Sequence, residues 1–269
     1  MGALVGRVAL VTGGGQGIAR AVCEALAEEG ASISIADINA DAGAASAQAI
    51  RDAGGRGHFT RCNVAKAEDV ERSVAETMET FGRIDVLVNA AQYFAAPRTI
   101  ERTSVKDWEL SHATGPLATL RFMQACLPHL KERGGSIVNF TSGSALTGMK
   151  YTAAYSAAKG AITALSKVAA NEWAAHGIRV NVLCPFALTP VQERMIGTPY
   201  DNYTRTAACS PMGRGADPRR EIAPVIVFLA SDASRFMTGT IVHADGGLNE
   251  LSPVDYGETP GVFSDEPGA

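Results

Sequence analysis

Tyr155 and Lys159 stand four residues apart in the run "YSAAK", inside an Ala-rich stretch of helical composition. On a helix, positions i and i+4 share a face, with Cβ atoms roughly 5–6 Å apart. A phenol placed there has a cation beside it, and a neighbouring cation favours loss of its proton. Taken alone, the spacing is common and fits a chance pair on a solvated helix face better. Ser142 lies upstream at the end of the β-rich run "SIVNFTS". A hydroxyl at a strand end can bond to a substrate oxygen or to nearby backbone.

A second group of residues suits a different task. "TGGGQGIAR" follows the β-rich run "VALVTG" and opens a helical segment. Gly13, Gly14, Gly15 and Gly17 allow a tight turn and close approach of backbone to phosphate. Beside Gln16 and Ile18, the helix N-terminus offers free N–H groups and a partial positive charge to a pyrophosphate. Asp37 closes the next β-rich run, "SISIAD", where a carboxylate can accept hydrogen bonds from a ribose diol. It would repel a 2′-phosphate by about 1–4 kcal/mol per unit charge at ~4 Å. Ile38 rather than a base follows it, and Gln16 rather than a base sits in the loop. The set favours NAD over NADP; a plain strand-end acid or helix cap is the other reading of Asp37.

These residues need elements to hold them. Further β-rich runs are "HFTRCNV" from His58, "DVLVNA" from Asp85, "RVNVLCP" from Arg179 and "TIVHADGG" from Thr240. Several are nearly continuous apolar runs, as expected of parallel strands covered on both faces. Helical segments such as "ARAVCEALAEEGA", with Gly30 just past its end, and "AEDVERSVAETMETFG", closing at Gly82, separate them. The alternation predicts a single α/β domain over residues 1–247: a doubly wound, parallel, seven-stranded sheet with helices on both faces. Residues 186–220 have weak periodicity and read as a substrate loop, and 248–269 as a polar, acidic tail.

The bulk properties narrow the function. The net charge of −4 over 269 residues gives no footprint for nucleic acid or an anionic membrane surface. The longest apolar run, Ala223 to Ala230, is too short to span a bilayer, and no signal peptide is expected. Five scattered cysteines without a Cys-x-x-Cys, and histidines without metal-ligand spacing, predict a cytoplasmic protein with reduced thiols and no metal.

From Gly6 to Gly247 the chain resembles the short-chain dehydrogenase/reductase family. "TGGGQGIA", Asp37, "CNV" at Cys62, "DVLVNAA" at Asp85, Ser142, Tyr155 with Lys159, "RVNVLCP" and "PMGR…EIAPVIVFLASDASRFMTGTIVHADGG" carry the resemblance. It implies a Rossmann fold, a homo-oligomer, commonly a tetramer, and a nicotinamide cofactor. Tyr155 would be the general acid/base, Lys159 would lower its pKa and hold the nicotinamide ribose, and Ser142 would bond to the same substrate oxygen. The resemblance places Gly13, Gln16, Gly17, Ile18, Asp37, Ile38, Asn63, Val64, Asn89, Ala90, Ala91, Tyr155, Lys159, Pro185, Leu188 and Thr189 at the cofactor.

The chain departs from the family pattern at several points. Ala19 replaces the third loop Gly, and Asn63 replaces an Asp near the adenine. "NAAQ" replaces Asn-Asn-Ala-Gly, which puts Gln92 close to the nicotinamide half of the cleft. Phe186 follows Pro185 where the family has Gly, and Thr189 comes one residue early. The Asn that helps the family's proton relay falls on Gly115. There the family breaks a long helix, and a backbone carbonyl holds a water linking Lys to solvent. Pro116 removes an N–H and disfavours α geometry at Gly115, so the expectation is a break made by another route, with the relay carried by backbone oxygen.

The expected activity is hydride transfer between NAD and a secondary alcohol or its ketone. Tyr93, Phe94, Leu146, Met149, Phe186, Met195, Tyr200 and Tyr203 point to an apolar cyclic or aromatic substrate. Gly115, Gln92 and Phe186 leave room for a cofactor-binding protein without turnover. An epimerase or dehydratase that retains NAD through its cycle is a second rival.

Overall fold

The structure is a computed structural model that describes residues 2–194, 196–198, 201 and 203–250. Met195, Tyr200 and the tail from residue 251, invoked above, lie outside the described residues. Seven parallel strands form one sheet in the order β3-β2-β1-β4-β5-β6-β7: β1 Val8–Thr12, β2 Ser32–Asp37, β3 Arg56–Arg61, β4 Val86–Asn89, β5 Gly135–Phe140, β6 Ile178–Pro185 and β7 Ile241–Ala244. The helices are α1 Gly17–Glu28, α2 Ala40–Asp52, α3 Ala67–Phe81, α4 Val105–Thr114, α5 Pro116–Lys131, α6 Gly143–Thr147, α7 Ala153–Trp173, α8 Pro190–Glu193, α9 Tyr203–Cys209 and α10 Ala223–Ala230, the last led in by a π turn over Pro218–Ile222. This is the doubly wound α/β arrangement the strand–helix alternation predicts.

The unbroken apolar runs have a direct cause. Successive strand residues point to opposite faces. Val11, Val88 and Val138 pack with Val22, Leu26, Ile226 and Leu229 on one side. Their neighbours Leu10, Leu87 and Ile137 pack with Phe122, Met123 and Ile178 on the other. Each such side chain contributes about 1.5–3 kcal/mol by leaving water, which holds the strand ends in register beneath the site. The edge strand β3 is half-exposed, as its polar sequence requires, and the other edge strand, β7, is partly exposed although it is mostly apolar.

Asp85 precedes β4 rather than opening it. It is buried, and its carboxylate accepts the Val8 N–H at 2.8 Å and pairs with Arg83 and, at 3.6 Å, with Arg7. An ionised group at that depth needs such partners. β3 begins two residues earlier than the run at His58 and ends before Cys62. The break expected at Gly115 is present: α4 and α5 meet there (φ −95°, ψ −103°). Within residues 186–220, a short parallel bridge between Ala187 and Ala216 closes the segment that carries α8 and α9.

Candidate active site

The carboxyl ends of β1, β2, β4, β5 and β6 open into one cleft of about 780 Å³, where ligands sit in open α/β sheets. At one end the chain turns back from β1 through the glycine loop. Gly13 has φ +73°, and a Cβ there would lie 3.1–3.3 Å from Ala91, so the loop and the end of β4 approach as closely as glycine allows. Thr12 Oγ1 fixes that approach by accepting the N–H groups of Ala90 (3.0 Å) and Ala91 (3.1 Å). α1 then begins at Gly17 (φ +59°) with no side-chain cap from Gln16. Its first-turn N–H groups have no capping side chain, and Gly13, Gln16, Gly17 and Ile18 line the cleft. An uncapped helix start with a glycine cradle fits a pyrophosphate.

Asp37 lies a short step along the wall, buried. Its Oδ2 accepts the Gly15 N–H at 2.9 Å and its Oδ1 the Asn39 N–H at 2.8 Å. Each oxygen retains a lone pair, so the carboxylate is fixed yet able to accept from a diol. Ile38 beside it is 61% exposed, and no basic residue lines this part of the cleft. Asn63 and Val64 line it too, but Asn63 Oδ1 already accepts the Ala65 N–H at 3.1 Å, which leaves its amide N–H₂ to face a base.

At the other end Ser142, Tyr155 and Lys159 line the same cleft. Ser142 is the N-cap of α6 and takes hydrogen bonds from Ser144 N–H (3.3 Å) and Ser144 Oγ (3.0 Å). Tyr155 and Lys159 lie on α7, with Nζ 5.6 Å from the phenol ring centroid and donating to the Phe140 carbonyl at 2.9 Å. Burial pushes the Tyr155 phenol up to about 12, against a hydrogen bond with Ser142 that lowers it. Burial also pulls Lys159 down to about 7, opposed by Cys184. The idea that a cation beside the phenol makes it acidic thus meets a counter-effect: the dry wall that holds the pair favours the neutral form of both.

Most of the cofactor positions proposed from sequence come together here. Gly13, Gln16, Gly17, Ile18, Asp37, Ile38, Asn63, Val64, Ala90, Ala91, Pro185 and Thr189 all line the cleft. Asn89 and Leu188 do not. Asn89 Nδ2 donates to Asn139 Oδ1 at 2.8 Å, and Asn139 in turn donates to Ser166 on α7, which ties β4, β5 and the Tyr155 helix together. The Leu188 N–H goes to the Ala216 carbonyl. The hydroxyl and the N–H of Thr189 both donate to Gln192 Oε1, at 2.7 and 2.9 Å. Gln192 and Thr114 also line the cleft, and Cys184 acts on both Tyr155 and Lys159. The sequence offered no signal for Thr114 and Cys184, whose contacts are distant along the chain; Gln192 did have one, since Thr189-Pro-Val-Gln192 has the spacing of a capping box.

Aromatic groups frame the chemical end. Phe94 stands edge-on to Tyr155, ring centroids 4.9 Å apart. Phe186 stacks on Tyr203 at 5.5 Å, and Tyr203 Oη accepts the Gly215 N–H at 2.9 Å. Among the described residues there is no cluster able to hold a metal ion, and no helix is long and apolar enough to cross a membrane.

Comparison with known proteins agrees with this geometry. Residues 13–249 match a family model described as enoyl-(acyl carrier protein) reductase. The chain is 36% identical over 254 residues to a 2,5-dichloro-2,5-cyclohexadiene-1,4-diol dehydrogenase of Sphingobium indicum, a match covering 93% of this chain and 100% of that protein. It is 34% identical to a 12alpha-hydroxysteroid dehydrogenase of a Clostridium species, covering 93% of this chain and 99% of that one. The crystal structure of gox2181 superposes with a TM-score of 0.87 at 34% identity, over 91% of this chain and 96% of that chain. With the glycine cradle at one end of its cleft and Ser142, Tyr155 and Lys159 at the other, this chain belongs to the short-chain dehydrogenase/reductase family of oxidoreductases.

Proposed function

We propose that the protein is an NAD-dependent alcohol dehydrogenase or ketone reductase acting on secondary alcohols carried by apolar rings. The observation that carries this reading is the single cleft with Asp37 and the uncapped start of α1 at one end and Ser142, Tyr155 and Lys159 at the other. A bound nicotinamide dinucleotide supplies the acceptor or donor of the hydride. Gly13, Gln16, Gly17 and Ile18 would hold its pyrophosphate, and Asp37 its adenine-side ribose. The fixed carboxylate, the neutral Ile38 and the absence of a base along that wall favour NAD over NADP.

Ser142 holds the substrate oxygen against the Tyr155 hydroxyl. In reduction Tyr155 gives its proton to the developing alkoxide; in oxidation it receives the proton of the alcohol as the carbinol hydrogen leaves with its electron pair. A phenol neutral at pH 7 can act as the acid in reduction, and in oxidation it must first give up its own proton to receive that of the alcohol. Lys159 is the next group in line for that proton.

Phe94, Phe186, Tyr203 and Met149 give the chemical end its apolar walls. The names of the relatives, a cyclohexadienediol dehydrogenase and a hydroxysteroid dehydrogenase, support a ring-bearing secondary alcohol. Exposed Trp108, Leu117 and Val168 on α4, α5 and α7 support a homo-oligomer, which light scattering on the purified protein would measure. The functional test is NADH formation or consumption with a panel of cyclic secondary alcohols and ketones, NADP(H) in parallel, and Tyr155→Phe as the blank. Turnover with NAD lost in the variant supports the reading. An NADP preference overturns the cofactor assignment. A folded protein that binds NADH but turns over nothing in the panel favours a cofactor-binding role.

A further inference from the structure

Two of the departures from the family pattern, Gln92 and Gly115, fall on one spot. A Cβ on Gly115 would lie 2.6 Å from Oε1 and 2.7 Å from Nε2 of Gln92, and 2.8 Å from the Ser111 carbonyl oxygen. The Gln92 carboxamide therefore fills the volume that any side chain at residue 115 would need. The resemblance implies a glycine at 92 and an amide at 115; this chain has the two exchanged.

The carboxamide is held in place from one side. Its Nε2 donates to the Ser111 carbonyl at 3.0 Å, and that carbonyl also accepts the Gly115 N–H at 3.0 Å. Pro116 has no N–H to give to the His112 carbonyl one turn back, so the ladder is interrupted where the amide arrives. The other half of the amide is left over. Gln92 Oε1 is buried with no partner among the protein atoms, and so is the hydroxyl of Ser111, which is wholly buried. Unmet buried acceptors are rare and call for a donor. Gln92, Leu110 and Thr114 line the same cleft as Lys159, and α4 packs on α7. Lys159 Nζ has three protons, and the Phe140 carbonyl takes one.

We propose that Gln92 is the positioning residue of the proton path at Lys159: its carboxamide replaces a side chain at residue 115, ties the helix break through Ser111, and offers Oε1 to the water that exchanges protons with Nζ. This adds a side-chain acceptor to the expected backbone one: Pro116 leaves the His112 carbonyl without its usual donor, while the Ser111 carbonyl is taken by Gln92 and Gly115. It rests on the dehydrogenase reading for its meaning but not for all of its tests. The titratable groups facing Lys159 are Tyr155 on its own helix and Cys184 on β6, with the Phe140 carbonyl from β5.

The experiment compares wild type, Gln92→Ala, Gly115→Asn and the exchange variant Gln92→Gly/Gly115→Asn. Steady-state turnover is read across pH 6–10, and NADH affinity separately. The expected result is a kcat about 10- to 100-fold lower in Gln92→Ala, a displaced limb in its pH profile and unchanged NADH binding. The exchange variant should recover to within about threefold of wild type while Gly115→Asn alone does not. An unaltered kcat and pH profile in Gln92→Ala overturns the proposal. So does an exchange variant that regains thermal stability but not the pH profile, which would leave Gln92 only a packing role.

Should wild type turn over nothing, the dehydrogenase reading fails and a second measurement decides this one. The Lys159 titration is followed by NMR on protein labelled at the lysine ε-carbon, assigned with Lys159→Met. Loss of an acceptor for the ammonium should lower its midpoint by about half a unit or more in Gln92→Ala, with return in the exchange variant. A midpoint unmoved in Gln92→Ala overturns the proposal.

Discussion

The start of α1 and the start of α5 are both helix beginnings that depend on glycine, yet the chain treats them in opposite ways. At α1 the first-turn N–H groups have no side-chain cap, Gly17 has only Thr189 Cγ2 within 4.0 Å of where a Cβ would sit, and the opening faces the cleft. At α5 the space beside Gly115 is filled by the protein's own Gln92 amide. The first glycine keeps room for something that arrives from outside. The second makes room for something the chain already holds. Counting glycines does not separate these cases; asking what a Cβ would meet does.

The largest expected effect lies at the end proposed for chemistry, where the Tyr155 oxygen would move the proton. Tyr155→Phe removes the hydroxyl and keeps the ring, including its edge-on contact with Phe94. Turnover should fall by about 10³-fold, with NADH affinity and melting temperature within error of wild type. If turnover survives, the proton passes through another group, and the likeness of this cleft to that of the family is one of shape only.

Next comes a dependence of stability on pH that belongs to this end alone. Lys159 is pulled down to about 7 by burial, from an unfolded value of 10.5. Between those values the unfolded chain holds more protons than the folded one, so folded stability rises with pH; below about 7 both forms are protonated and the full burial penalty is present. Lys159→Met has no such group. The stability of wild type relative to Lys159→Met should therefore increase by about 2–3 kcal/mol from pH 7 to pH 9, measured by denaturant unfolding. A constant difference would mean that the ammonium stays charged in the fold, and then the phenol has its cation after all.

The two ends also differ in how far they were legible in the sequence. The glycine loop, Asp37 and the strands behind them are local statements: each residue acts through backbone next to it, and the apolar runs report two covered faces. Ser142, Tyr155 and Lys159 were legible as a set only through the resemblance to the family, since spacing alone left a pair on a helix face and a strand-end hydroxyl. The break between α4 and α5 was legible because Pro116 forces it. What fills the break was not, because Gln92 reaches it from the end of β4, and no pattern along the chain announces that an amide and a missing Cβ are complementary. The same holds for Cys184 near Lys159, whereas Gln192 holding Thr189 is a local capping-box spacing that the sequence carries. Burial was misjudged for a related reason: the sequence placed a cation beside a phenol but could not say how dry their common wall is.

Alanine at each of the two glycines sharpens the contrast. Gly17→Ala must adopt a positive φ, which costs about 1–2 kcal/mol of stability, and its methyl enters the space kept for the pyrophosphate. NADH affinity should fall further than that strain explains. Gly115→Ala has no positive φ to adopt but meets the Gln92 amide and the Ser111 carbonyl at 2.6–2.8 Å. Its cost should appear as about 1–3 kcal/mol of lost stability, with NADH affinity little changed. Melting curves with and without NADH separate the two. If both variants lose binding and stability in the same proportion, the distinction between a space kept for a ligand and a space filled by the chain is wrong.

Asp37 tests the dinucleotide end most finely, because its carboxylate serves both the fold and the expected ligand. Its oxygens hold the Gly15 and Asn39 N–H groups. Asp37→Asn keeps one acceptor oxygen and removes the charge, so the turn at Gly15 should survive with a loss of about 1 kcal/mol. Affinity for NADH should drop about tenfold, and the preference over NADPH should narrow by a similar factor as the repulsion of a 2′-phosphate disappears. Tryptophan-to-nicotinamide energy transfer with each dinucleotide measures both quantities. Equal losses for NADH and NADPH would show that Asp37 acts only by shaping the loop, and the preference for NAD would then need a different cause along the wall that runs through Ile38.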